Sequence, residues 1–161
     1  VVDNGKTPAQ RLNSAVLDPK ATLSAKEEKI LLKYLHKIIS DDMTNYEKAV
    51  ACYDYIIKNT VYDYGGWANP VKAVLDGTCT EYSYVYAAML NYIGFDAKTV
   101  DGKTAMAAGG YGYHMWVEVT INGQVYVMDP QVDDNMSWGA YISHERFCKT
   151  YSEVKNKYIK D

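Results

Sequence analysis

Three residues of this chain have side chains suited to attack on a carbonyl carbon: Cys79, His114 and Asp129. Cys79 falls in Thr78-Cys79-Thr80-Glu81, a capping box in which a hydroxyl and a carboxylate satisfy the open N–H groups of a helix start. Those N–H groups and the helix dipole favour negative charge, so a thiol in the first turn is biased toward thiolate. The same N–H groups can steady an oxyanion on the carbonyl under attack. Placement alone is weak evidence, because a cysteine at such a position is inert more often than reactive.

The relation between His114 and Asp129 is stronger. Residues 113–121 alternate in polarity, Asn122-Gly123 is a two-residue hairpin turn, and residues 124–129 return. Pairing Ile121 with Gln124 sets Thr120 opposite Val125, Glu118 opposite Val127 and Trp116 opposite Asp129. His114 lies two residues before Trp116 and shares its face. His114 and Asp129 are then diagonal neighbours, roughly 7–8 Å apart at the backbone, close enough for the carboxylate to hold one imidazole nitrogen. Singly, a satisfied sheet histidine and an aspartate capping the turn before Pro130 are the plainer readings; together with Cys79 the three form a nucleophile, base and orienter.

The elements that must position them are legible along the chain. Residues 1–23 are polar, contain Pro8 and Pro19, and read as a loosely structured arm. Ser24-Ala25-Lys26-Glu27 opens a helix with Ile30, Leu31, Tyr34, Leu35, Ile38 and Ile39 on one face, and His36 off it. Thr44-Asn45-Tyr46-Glu47 opens a second helix with Ala49, Val50, Tyr53, Ile56 and Ile57 inward. Asn69-Pro70 starts a short helix that stops at Gly77. The stripe of Tyr82, Val85, Tyr86, Met89, Leu90 and Ile93 predicts a central buried helix ending at Gly94. Residues 95–100 read as a strand, 101–112 and 131–139 as loops, and the tail from Ala140 as a strand with a final helical turn.

Composition bounds the rest. The chain has 161 residues, 48% hydrophobic and 23% charged, which suits one globular domain over residues 1–161. Net charge is −3 with no basic stripe, which argues against nucleic acid, and no apolar run approaches the ~18 residues of a membrane span. The start at Val1, without Met, reads as a processed or trimmed fragment whose signal peptide is out of view. There are 16 Tyr against 2 Phe; tyrosine suits exposed contact surfaces, so an extracellular or cell-surface protein that grips peptides or glycans fits, as does plain compositional drift. Cys52, Cys79 and Cys148 are odd in number, so one thiol at least is unpaired, and whether Cys52 and Cys148 bridge stays open. The three histidines and three cysteines show no metal-ligand spacing, 133–135 is too short for a calcium loop, and no phosphate loop or dinucleotide fingerprint occurs; no cofactor or metal is expected.

Gly77-Thr78-Cys79 before a long apolar helix, His114-Met115-Trp116-Val117-Glu118-Val119, and Tyr126-Val127-Met128-Asp129-Pro130 resemble the transglutaminase-like superfamily over roughly residues 45–135. The order Cys, His, Asp matches, with steps of 35 and 15 residues. The resemblance implies an α+β, papain-like fold: N-terminal helices and a central Cys-bearing helix packed on an antiparallel sheet. It implies Cys79 as nucleophile, His114 as general base and acid, Asp129 as orienter, and a thioester acyl-enzyme on protein or peptide amides, resolved by an amine or by water. Hydrolysis is favoured over crosslinking, because the small chain leaves no room for the accessory domains of large calcium-dependent transglutaminases. The chain departs from the family at Glu81, where many members carry a small residue, and at Met115, where alanine is common. Tyr62, Trp67 and Trp116 are candidates for substrate contact, with core packing as the alternative. The loop at Gly109-Gly110-Tyr111-Gly112 is a candidate lid or a passive connection. The competing function is a catalytically silent surface module that binds peptides or a cell-wall polymer in the same groove.

Overall fold

The computed structural model describes residues 5–62, 76–77 and 79–161, with side chains outside residues 61–81. Helices come first. Thr7 and Gln10 form a reciprocal capping box, with Pro8 in the first turn, that starts the short helix α1 (Pro8–Asn13). Ser24 caps α2 (Ala25–Ile38), which buries Leu31 and Leu35, and Thr44 forms a full box with Glu47 to start α3 (Asn45–Asn59). Helix α3 buries Ala49, Cys52, Tyr53, Ile56 and Ile57. His36 is exposed, as its place off the stripe predicts.

Val61–Tyr62 (β1) and Asp76–Gly77 (β2) make a two-residue parallel pair. The helix expected from Asn69-Pro70 and the capping box around Cys79 lie outside the described residues. Helix α4 (Cys79–Ile93) follows, and it is central: all six residues of its predicted stripe are buried, and so are Ser83, Ala87, Ala88 and Asn91. Gly94 ends it at φ +127°; a Cβ there would meet Leu17 at 2.7 Å.

Five antiparallel strands follow in the order β6-β5-β4-β3-β7. They are β3 (Asp96–Ala105), β4 (Tyr111–Ile121), β5 (Gln124–Met128), β6 (Phe147–Lys149) and β7 (Tyr158–Lys160). The β4–β5 turn has Asn122 and Gly123 at φ 52° and 81°, and the observed pairs run from Ile121↔Gln124 to Val117↔Met128, in the predicted register. One face, with Val117, Val119, Ile121, Tyr126 and Met128, joins α3 and α4 in the main core. On the other face Val100, Trp116 and Val127 pack with Val154, Tyr151 and Tyr158.

Three readings of the chain are corrected. The arm expected over residues 1–23 is ordered in part: residues 8–13 form α1, where Leu12 is fully buried and Arg11 is buried with its guanidinium given to the Cys148 carbonyl and to Glu153. Residues 101–105 extend β3 rather than form loop, paired with β4 throughout and with β7 at 102–104. Residues 130–136 are helix α5 (Pro130–Met136), not loop. Cys52 and Cys148 are buried thiols rather than a disulfide, and burial pushes the Cys52 thiol up to about 12.

Candidate active site

Strand β4 continues past its last β5 pair, and His114 stands on that extension. Asp129 follows the last residue of β5, where the chain turns into α5. The His114 Nε2 and the Asp129 Oδ2 are 2.7 Å apart, with both side chains buried. The two plain roles for Asp129 hold at once: its Oδ1 accepts the N–H of Val132 at 3.2 Å and caps α5, while its Oδ2 holds the imidazole. With Pro130 at the first helical position, Asp129-Pro130 is the same start signal as Asn69-Pro70.

The sequence did not point to a third group on this carboxylate. The Tyr158 hydroxyl donates to the same Oδ2 at 2.6 Å. Burial, then the charge of Asp129 and its hydrogen bond, push the Tyr158 phenol well above its ordinary range, so it remains a donor. A buried carboxylate needs such partners, because an unpaired one costs several kcal/mol. Tyr158 comes from a three-residue edge strand 29 residues downstream, and no local pattern marks it.

Trp116 shares the His114 face as expected, its ring nearly parallel to the imidazole (19°) with centroids 6.2 Å apart. Its side chain is packed in the core, the alternative to substrate contact. It is fully buried, with Tyr158 against it at 4.7 Å and its indole N–H given to the Tyr151 hydroxyl at 2.9 Å. Tyr151 in turn donates to Glu118. Burial works to raise the Glu118 carboxyl, but Lys160, Tyr151 and Lys98 outweigh it and hold the group below its ordinary value. Trp116 therefore forms a wall behind His114. The sequence does not say that the second sheet face is covered by residues 151–160. Trp67 and the side chains of Tyr62, Cys79 and Glu81 lie outside the described residues.

Helix α4 is pinned to the sheet at two points. The Ser83 hydroxyl donates to the Met115 carbonyl at 2.9 Å, and the Asn91 amide exchanges two 3.0 Å hydrogen bonds with Ala97, which pairs with Val119. Ser83 to Asn91 spans roughly 12 Å of helix. Met115 to Val119 spans roughly 13 Å of strand. The helix thus runs alongside β4 in the same direction. Cys79 begins α4 about one turn before Ser83, so its backbone lies level with the Tyr113–His114 end of β4. Helix α5 closes the group: Asp134 accepts from Tyr82 on α4, and Asp133 accepts from Tyr53 on α3, from Ser143 and from the Arg146 N–H. Burial pushes the Asp133 carboxyl up to about 6, although these donors and its partners pull it down.

Asp129 engages the imidazole through Nε2 and so fixes the orientation of the ring. An open cleft of about 430 Å³ borders His114, lined also by Tyr113, residues 104–107, α5, Arg146 and Lys157. Among the described residues no cluster could hold a metal ion, and no helix is long and apolar enough to cross a membrane.

The family described as the transglutaminase-like superfamily matches residues 33–130. No curated protein matches the chain in sequence. Among solved structures, the fold is similar to that of a candidate cysteine protease from Cytophaga hutchinsonii (TM-score 0.56, 15% identity, 91% of this chain and 54% of that one). It is also similar to a TGase (TM-score 0.51, 17% identity, 81% of this chain and 40% of that one). The chain thus spans about half the length of the first of these and less of the second, and the likeness extends to the α+β fold.

Proposed function

Since the chain belongs to the transglutaminase-like superfamily, we propose that it is a cysteine enzyme that transfers or hydrolyses the acyl group of a protein or peptide amide, using Cys79, His114 and Asp129. The observation that carries this reading is the buried His114–Asp129 pair at 2.7 Å, standing level with the first turn of the helix that Cys79 begins.

In this reading Asp129 fixes the imidazole through Nε2, and Tyr158 and the α5 N–H fix Asp129. His114 Nδ1 takes the thiol proton as the Cys79 sulfur attacks the amide carbon. Open N–H groups of the first turn of α4 support the oxygen as it gains charge. His114 then returns the proton to the leaving nitrogen, the C–N bond breaks, and a thioester on Cys79 remains with the amine released. Water or a second amine, deprotonated by His114, attacks the thioester and frees the thiol.

The test is the rate at which a thiol-directed probe such as iodoacetamide labels each cysteine near neutral pH. Cys79 should label faster than free cysteine and far faster than buried Cys52 and Cys148, and His114→Gln should slow Cys79 alone. Labelling of Cys79 no faster than free cysteine, unchanged by the His114 substitution, would remove the enzyme reading.

A further inference from the structure

The cleft beside His114 carries an unbalanced charge. Its lining includes two cations, Arg146 and Lys157, and no carboxylate, in a chain whose net charge is −3. Neither cation has an ion pair among the described residues. Arg146 is held through its backbone: its N–H is given to Asp133, and its carbonyl accepts from the Asp129 N–H at 3.0 Å. The guanidinium is left over, and its Nε is buried without a hydrogen-bond partner.

Asp129 and Asp133, which bond the Arg146 backbone, form no ion pair with its guanidinium. Both oxygens of Asp129 are taken by His114, Tyr158 and the Val132 N–H. Those of Asp133 are taken by Tyr53, Ser143 and the Arg146 N–H. A planar guanidinium without an ion-pair partner is met best by a carboxylate, which can form two parallel bonds with it. Gln131 adds a second recognition group. It is 6% exposed, it lines the cleft, and its side-chain amide has no hydrogen-bond partner among the described residues. An amide so placed matches a peptide backbone, and the apolar side chains of Met106, Val132 and Met136 give the chain a surface to lie on.

We infer that this cleft binds the stretch of peptide flanking the attacked amide, and that Arg146, assisted by Lys157, selects the side-chain carboxylate of an Asp or Glu on that stretch. This rests on the reading of His114 as the catalytic base for locating the attacked amide, but the binding preference is measurable without turnover.

The probes are two fluorescein-labelled peptide mixtures, each a glycine-rich pentapeptide with a central Gln. One carries Asp or Glu beside the Gln, and the other carries Asn or Gln there. Binding to the Cys79→Ala protein is followed by fluorescence anisotropy, so a failure of catalysis leaves the readout intact. The acidic mixture should bind about tenfold tighter, the scale of one charge-assisted contact. Arg146→Gln should erase that preference, Arg146→Lys should keep part of it, and Lys157→Gln should weaken it less than Arg146→Gln. Circular dichroism melting checks that each variant is folded. Equal binding of the two mixtures, no binding of either, or a preference that survives in folded Arg146→Gln protein would overturn the assignment.

Discussion

The two faces of β4 are built from alternate residues of one strand and are unlike in every respect. Val117, Val119 and Ile121 lie in the apolar core against α4. His114, Trp116 and Glu118 face a layer of tyrosines and a buried carboxylate, closed by residues 151–160. The first face gains free energy by taking apolar surface from water, at roughly 25 cal/mol per Å². The second must satisfy each polar atom that it buries, so its groups are held in one arrangement. A strand with both faces covered can therefore serve stability on one side and fixed chemistry on the other.

The sharpest way to break this division is to change each face by one residue. Asp129→Asn keeps an oxygen for the cap of α5 but can present the wrong hydrogen-bonding group to His114. Turnover should fall on the order of 10³–10⁴-fold, while thermal melting moves little. Leu90→Ala, in the core under the other face, should cost about 2–5 kcal/mol in denaturant unfolding, with kcat close to that of the parent. If the two substitutions exchanged their effects, the division would be wrong.

Tyr158→Phe sharpens the polar side. It removes one donor from Asp129 and leaves the ring against Trp116. A carboxylate with fewer donors holds a protonated imidazole better, so the acidic limb of the kcat/KM profile should move to higher pH, with about 1 kcal/mol lost in stability. Conversely, a purely structural Tyr158 would lower stability and leave the profile where it was.

Asp133 makes the smallest prediction. Its carboxyl, pushed up to about 6 by burial, binds its proton more tightly in the folded chain than in the unfolded one, where the ordinary value is 3.8. It therefore favours the fold most below about pH 4 and progressively less as pH rises through about 6. The difference in melting temperature between the protein and Asp133→Asn should change across that window and be flat above it; a flat difference throughout would show that Asp133 does not titrate there.

What the sequence revealed follows from where the determining contacts lie. The hairpin register was legible because Asn122-Gly123 fixes the turn and the side-chain period of two does the rest. The stripe of α4 was legible because its apolar residues recur at helical spacing. Helices α1 and α5 carry equally local signals, Thr7-Pro8-Ala9-Gln10 and Asp129-Pro130, but each is too short to show a helical apolar stripe. Tyr158, Arg146 and the buried state of Trp116 were not legible, because each depends on a tail that folds back over the sheet, clamped in part by Arg11 through Cys148 and Glu153. Such contacts have no periodicity to betray them.

The most direct test of the central claim is the intact mass of the protein after brief mixing with a pool of glutamine-containing peptides and acid quenching. A thioester at Cys79 should appear as the mass of the peptide less that of the released amine or ammonia. It should map to the peptide containing Cys79, vanish in Cys79→Ser, and fall with Asp129→Asn. An adduct on Cys52 or Cys148 instead, or acyl transfer that persists in Cys79→Ser, would contradict a site made of Cys79, His114 and Asp129.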